Sequence, residues 1–532
     1  MNLLEHSLLT ITLGRDPLAV SLPDLLARLL SGPDIDGFPH LAAHQRGYLW
    51  RFLVRCAARG LRTAGLSADD AADTEADTLA NQVRDALLSH TDLEDWTLYQ
   101  ASPSRPGFLQ PPTPTGQMPD EDNYQQRSCA LLTSLMGKKE FERKSEVNRS
   151  LSPEAAVFAL IEYQGGVIFG GRGNYESQIM GSRSGAGSGT PFMGAWVDNS
   201  HHRTFHHDVG VVLEEWEEVA STLELTEEIW ALWREPWNGV DPLPGSELDP
   251  AFIPLARLVR LGEPDGQRFD TVWFRPSEGG RVADHTEGGR LGDPFTPLIP
   301  DPKQGHLKVR GTLQGGYHYR EVVRLLIPDT ESGVRRSSSV ESLLDHPPRE
   351  VEDLRVIFEG TAFEQGKTRG FHRRVVRLPR KAVRDGLLSH RTEPIHEANN
   401  RMLDATSKAR RVLRSALSLV LSGDPRGRDS DLEKTAPYLS RLEEEVDRVF
   451  LDFLFQAAEE GADQVRGDPT EPFRTWLYEL ATLHVFPEAL QSLPRSSSRW
   501  FEEEVTAEAY LRGRLRRELE LPIHRVPQET SA

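Results

Sequence analysis

"FEGTAFEQGKTRGFHRR", Phe358–Arg374, decides between two folds. Leu354–Phe358 reads as a strand, and strand, glycine, then Gly366-Lys367-Thr368 is the outline of a phosphate-binding loop. Such a loop needs a glycine, four residues, then Gly-Lys-[Ser/Thr], so that successive backbone N–H groups wrap the phosphates. Here five residues separate Gly360 from Gly366, and Thr361 stands where a glycine is required. Arg369, Gly370, Phe371 and His372, followed by Val375-Val376, read as a turn into a strand. Without a helix N-terminus the loop has neither the dipole nor the orphan amides that hold phosphate. The stretch is therefore a basic turn-and-strand in an α+β fold. Gly366–Arg384 carries eight Lys/Arg and no Asp or Glu.

At 532 residues, two or three domains are expected. Hydrophobic residues make up 38% and aromatics 8%, enough for sizeable cores. Cys56 and Cys129 are too few for a disulfide framework or a cysteine-only zinc site. There is no long apolar run, and Met1-Asn2-Leu3-Leu4 leads directly into strand-like alternation, so a cytoplasmic protein with no membrane partner is expected. The net charge of −19 argues against a protein that coats nucleic acid on its own, but allows local basic sites on an acidic body.

Residues 1–30 read as strand, turn at Gly14-Arg15-Asp16-Pro17, strand and helix. Phe38–Leu61 reads as one long helix, Asp73–Leu88 as a second and Pro153–Gln164 as a third, with Trp96–Pro119 irregular. From Glu393 four helical segments follow, near 394–422, 430–460, 471–493 and 498–520, separated by Gly/Pro breaks. Met402, Ala405, Ala409, Leu413, Ala416 and Val420 share a face of the first; Leu439, Leu442, Val446, Phe450 and Phe453 share one of the second. These lengths and links predict a four-helix bundle over 391–532, after a mixed α/β lobe over 1–390. Pro487 is expected to kink or end the third segment.

Gln164–Trp196 is the most unusual tract: nine glycines lie in the 25 residues Gly165–Gly189. Glycine at that density is conformationally costly, and the usual reason is close backbone approach to a ligand. A flexible surface loop is the plain alternative. Against it, Phe169, Tyr175, Ile179, Met180, Phe192 and Trp196 interleave with the glycines, and Arg172 and Arg183 face only Glu176 in charge. A dinucleotide fingerprint fits poorly, since Asn174-Tyr175-Glu176 follows Gly171-Arg172-Gly173.

"HQRGYLWRFLVRCAA" (His44–Ala58), "GFLQPPTP" (Gly107–Pro114), the glycine tract, "GDPFTPLI" (Gly292–Ile299), "GGYHYREVVRLL" (Gly315–Leu326) and "QGKTRGFHRRVVRLP" (Gln365–Pro379) occur in an order that resembles the CasA family. CasA is the large subunit of the type I-E CRISPR Cascade. The resemblance spans nearly the whole chain. It implies a non-catalytic subunit of an RNA-guided complex, whose lobe reads the protospacer-adjacent motif of double-stranded DNA from the minor groove. It further implies that a wedge starts unwinding and that a helicase–nuclease is recruited. Its partners would be crRNA, the DNA target, and the small and backbone Cascade subunits, the bundle packing on the small subunits.

Carried over, the motif-reading loop falls on Gly170, Gly171, Arg172, Gly173 and Asn174. The wedge would lie within Asp329–Pro348, with Arg335, Arg336 and Ser337 as its tip, and Arg281 or Arg290 would be a groove-reading cation. Lys367, Arg369, Arg373 and Arg374 would suit guide or target phosphates; the alternative is a solvated basic face. Some relatives carry paired cysteines resembling a zinc site; this chain has no such pairs, so neither metal nor cofactor is expected. A minor-groove reader relies on backbone approach and shape, because that groove mainly separates A·T from G·C.

"HHRTFHHD" (His201–Asp208) invites a metal reading, but as the entry to a strand it would point His206 and His207 to opposite faces. His318 reads as a hydrogen-bonded structural residue, and Leu213–Glu228 as a solvated helix with Leu213, Trp216 and Val219 inward. Two rivals stay open: an enzyme, either a nucleotide hydrolase using Lys367 or a metalloenzyme using His201–His207, and a helical scaffold with no nucleic-acid role.

Overall fold

The structure, a computed structural model, describes residues 1–113, 124–132, 150–166, 191–282, 292–302, 305, 307–348, 351–364, 367–464, 467–493 and 500–522. It opens with an antiparallel hairpin of β1 (Leu9–Leu13) and β2 (Asp16–Val20), turning at Gly14 with φ +65°. Helix α1 (Leu22–Ser31) follows a capping box, in which the Ser21 hydroxyl accepts from the Asp24 amide and the Asp24 carboxylate accepts from the Ser21 amide.

The helix expected from Phe38 is α2, Arg46–Ala64. Pro39 disfavours the α conformation at Phe38, and Gly37 takes φ +151°, so 34–42 runs as an irregular segment that a short 3₁₀ turn joins to α2. After it come α3 (Ala68–Ala72) and α4 (Ala76–Leu88), β3 (Gln125–Ser128), and α5 (Pro153–Gly166), with Pro153 at its first position.

Strand β4 (Phe192–Val197) leads to α6 (His201–Glu214), which corrects the strand expected over the histidine stretch. The Ser200 hydroxyl accepts from the Arg203 amide, and Phe205, Asp208, Val209 and Val212 recur at three- and four-residue steps on the buried face. Side-chain spacing overrode the β-branched composition. Helix α7 (Trp216–Thr222) is separate from α6, with Trp216 buried. Next come β5 (Ile229–Ala231), β6 (Leu248–Ile253), β7 (Leu258–Leu261), β8 (Thr271–Arg275), β9 (Leu298–Pro300) and β10 (Leu307–Val309). Helices α8 (Tyr319–Leu326) and α9 (Ser338–Asp345) precede the long strands β11 (Leu354–Glu364) and β12 (Lys367–Leu378).

These two strands form a hairpin, and β11 also pairs with β4, giving an antiparallel sheet in the order β12–β11–β4. Gly360 lies within β11, not in a loop: a Cβ there would sit 1.9 Å from Thr312 Oγ1. The core around the sheet and α2 is strongly aromatic. Trp96, Phe108, Trp230 and Trp233 are buried together, the Trp96 and Trp233 rings meeting edge to face at 5.4 Å.

The chain divides into two compact units, Met1–Arg380 and Lys381–Ala532, with α10 (Arg380–Arg384) at the division. The second unit holds α11 (Glu393–Ser422), α12 (Asp429–Ala462), α13 (Glu471–Glu479), α14 (Phe486–Ser492) and α15 (Trp500–Glu518). Met402, Ala405, Ala409, Leu413 and Ala416 are buried, as are Leu439, Leu442, Val446 and Phe450. Phe453 packs against Phe473 and Trp476. The third segment is one helical rod interrupted by a π-helical stretch, Leu480–Val485, just before Pro487. Proline cannot donate to the preceding turn and crowds its carbonyl; the wider stretch relieves both problems without ending the helix.

Candidate nucleic-acid interface

Helix α2 carries arginines at four-residue steps, Arg51, Arg55 and Arg59, and all three are buried. Each needs a carboxylate partner, because an unpaired buried charge is strongly disfavoured. Arg51 Nε lies 3.0 Å from Asp293, Arg55 reaches the same carboxylate at 3.9 Å, and Arg59 lies 2.7 Å from Asp249. Asp293 belongs to "GDPFTPLI", and Arg51 and Arg55 to "HQRGYLWRFLVRCAA", so two motifs distant in the chain are joined by buried charge. Phe295 of the same motif stacks on Phe192 of β4 at 4.7 Å, and its carbonyl accepts from the Met193 amide at 2.8 Å.

The other motifs converge on the same sheet. The Tyr317 hydroxyl donates to the Glu359 carbonyl at 2.7 Å, and Arg374 donates to the Tyr317 carbonyl at 3.0 Å. Gly316, at φ +69°, leaves no room for a Cβ, which would fall 2.6 Å from the His372 ring. Gln110 of "GFLQPPTP" accepts from the Leu261 amide at 2.6 Å and donates to the Leu98 carbonyl at 2.8 Å.

Gln164, the last side chain before the glycine tract, is fully buried. It donates to the carbonyls of Leu109 and Arg257 and accepts from the amides of Ala256 and Arg257, all within 3.0 Å. Gly166 presses on Tyr48 of α2 so closely that a Cβ would meet the ring at 2.5 Å. Where the described chain resumes, the Pro191 carbonyl accepts from the Arg51 guanidinium. Both ends of the tract are thus fixed to one turn of α2. Gly170, Gly171, Arg172, Gly173, Asn174 and Arg290 lie outside the described residues.

The face of the β12–β11–β4 sheet toward α2 is set by register. Arg355 stands opposite both Arg377 and Trp196, Ile357 opposite Val375, and Glu359 opposite Arg373 and Phe192. Arg46 of α2 reaches over this face, its guanidinium carbon 4.6 Å above the Trp196 ring. Four arginines share two carboxylates. Glu359 lies 2.8 Å from Arg373 and 3.7 Å from Arg46, while Asp353 pairs with Arg355 and lies 3.0 Å from Arg377. Burial pushes the Glu359 carboxyl up, with Arg46 and Arg373 pulling it back; burial also lowers the Arg46 guanidinium.

The remaining expected residues are scattered. Lys367 begins β12 beside the hairpin turn, with no helix behind it, so the phosphate-loop reading fails on the backbone. Arg369 is the extra residue of a bulge, between Thr368 paired with Phe363 and Gly370 paired with Ala362. Arg281 is buried; it donates to the Glu235 carbonyl at 3.3 Å, and burial lowers it to about 10. Of the expected wedge tip only Arg335 is exposed. Arg336 and Ser337 are buried where the chain enters α9, a correction to the projecting tip expected there, because the hydrophobic face of that helix draws its first turn inward. The histidines of α6 diverge. His201 and His202 donate to the Ile35 and Leu29 carbonyls, His206 faces Asp69 at 3.2 Å, and His207 donates to the Ser339 carbonyl. Among the described residues no cluster of three or more His, Cys, Asp or Glu is arranged to hold a metal, and no helix is long and apolar enough to cross a membrane. Arg46, Arg355 and Arg377 were not singled out from sequence, and Trp196 was named only as an aromatic of the glycine tract. The alternation Arg373, Val375, Arg377 in β12 was the available signal.

The sequence model of a family described as CRISPR-associated protein Cse1 matches residues 2–485. The structure is similar to that of Thermus thermophilus CasA (Cse1), at 17% identity and a TM-score of 0.65, covering 97% of this chain and 98% of that one. Cse1 from Acidimicrobium ferrooxidans is similar at 16% identity and 0.65, and Cse1 from Thermobifida fusca at 15% and 0.65, each with 98% of both chains covered. No curated protein matches the sequence.

Proposed function

The chain belongs to the CRISPR-associated protein Cse1 family, the CasA large subunit of type I-E Cascade, and from that membership we propose that it reads the protospacer-adjacent motif on duplex DNA through the minor groove. In this reading it is a non-catalytic subunit that starts unwinding of the target, so that crRNA can pair with one strand, and then recruits the helicase–nuclease. Its second unit packs on the small subunits, and its first faces the DNA and the backbone subunits.

One observation supports the motif-reading role above others: both ends of the glycine tract are held on a single turn of α2, through Tyr48 and Arg51. A loop free to drift would lose entropy on meeting DNA, whereas anchored ends reduce that cost and let a nearly bare backbone enter a narrow groove. Unwinding is close to balanced energetically in RNA-guided recognition, so a modest local distortion suffices to start it. The arginine-bearing sheet face nearby supplies sequence-independent attraction for phosphate.

The test is Gly171→Trp and Gly173→Trp in the assembled complex. Motif-dependent duplex binding should be lost while the thermal midpoint of the isolated chain stays in place. Retained motif dependence would reject the loop as the reader.

A further inference from the structure

A concavity of about 440 Å³ lies between the sheet face and the segment 34–43. Its floor is Trp196, Ile357 and Val375, and three guanidinium groups border it, those of Arg46, Arg355 and Arg373. Asp34 and Asp36 also line it, one Asp34 carboxylate oxygen accepting from the Ile35 and His202 amides at 3.0 Å. Volumes of about 300–1,000 Å³ are typical of small-ligand sites.

The charge arrangement is uneven. Arg355 and Arg377 stand directly opposite one another across the strand pair and share Asp353. Arg46 and Arg373 likewise share Glu359. Like charges placed opposite are destabilising in a sheet, so this wall favours an anion. The acidic rim and aromatic floor argue against a simple anion, which would be repelled by Asp34 and Asp36 and gain nothing from Trp196. A ligand with a phosphate at one end and a flat, amino-bearing ring at the other matches both walls. Arg46 already lies over Trp196, and the free face of a stacked guanidinium is a surface on which bases stack.

We propose that this concavity binds one unstacked nucleotide carrying an amino-bearing base, its phosphate on Arg355 and Arg373, its base on Arg46, and its amino edge toward Asp34 and Asp36. The chain would thereby hold a single residue of unpaired RNA or DNA away from the motif-reading loop. The inference rests on the nucleic-acid reading only for the source of that nucleotide, because the pocket chemistry applies to free nucleotides as well.

Calorimetric titration of the isolated full chain with GMP, dGMP, UMP and inorganic phosphate tests it. GMP or dGMP should bind one to one, about tenfold or more tighter than UMP or inorganic phosphate. Arg355→Gln and Arg373→Gln should each weaken that binding about tenfold or more, while exposed Arg426→Gln leaves it unchanged. Tighter binding of GMP than dGMP would assign the site to RNA, the reverse to DNA, and parity to either. No saturable nucleotide binding, equal competition by inorganic phosphate, or affinity unchanged in both pocket variants would overturn the proposal. Motif-dependent duplex binding by the assembled wild-type complex, measured alongside, separates failure of the pocket from failure of the motif-reading role.

Discussion

Trp50 on α2 donates its indole N–H to Asp208 on α6 at 2.7 Å, inside a core where Asp208 is fully buried. The second carboxylate oxygen accepts from the Ser339 hydroxyl at 2.7 Å, and the Ser339 oxygen in turn accepts from the Ala195 amide at 3.0 Å. One carboxylate thus fastens α2, α6, α9 and β4 together. Burial pushes the Asp208 carboxyl up to about 6, against the opposing pull of His207, Ser339 and Trp50.

A pH dependence follows. Between the unfolded value of 3.8 and the folded value of about 6, the folded chain binds more protons than the unfolded one, so stability falls as pH rises through that window. Asp208→Asn removes this slope, and any offset from the amide is independent of pH. The wild type should lose on the order of 2 kcal/mol relative to the variant between about pH 4 and pH 7. Urea unfolding across that range is the measurement, and parallel curves would refute it. Asp249, also pushed up to about 6 by burial, acts in the same direction in both proteins and cancels.

Asp293 is the second charged tie. Asp293→Ala leaves Arg51 and Arg55 without their shared carboxylate and should cost about 3–5 kcal/mol. Glu217→Ala, which breaks an exposed pair with Arg62, should cost under about 1 kcal/mol. Denaturant midpoints at fixed pH compare the two.

Gly360 tests the sheet. Gly360→Ala places a methyl group against Thr312 Oγ1, which is buried and bonded to the Tyr317 hydroxyl at 3.1 Å. A loss of about 1–3 kcal/mol is expected, with partial recovery in the Gly360→Ala/Thr312→Ala double variant. Full stability in the single variant would show that the sheet tolerates a side chain there.

The arginine face should be visible in salt titrations. Arg377→Gln should lower the dependence of log K on log salt by about 0.7–0.9 for nucleic-acid binding by the complex, and Arg373→Gln by a similar amount. An unchanged slope would remove these side chains from the phosphate contacts.

The bundle was legible in the sequence because its information is local: Met402 to Ala416 repeats within single turns of one helix. The sheet was not, because β4 meets β11 only in three dimensions, and nothing near Phe192 announces Glu359 as its neighbour. The same holds for Arg51 and Asp293. The histidine stretch was misread because Thr204, Val209, Val211 and Val212 favour strands by composition, while Ser200 and the spacing of the buried residues specify a helix. The hairpin was half legible. Its direction was read correctly, but β11 runs on to Glu364, since Gly360 serves a close side-chain approach and not a turn.

Pairing of Phe192 with Glu359 also sets a schedule for synthesis. At roughly 5–20 residues per second, β4 leaves the ribosome about 8–33 s before β11 is complete. Throughout that interval the aromatic edge of β4 has no strand beside it. A nascent chain stalled just short of Leu354 should therefore be far more sensitive to protease around Phe192–Val197 than one released past Leu378.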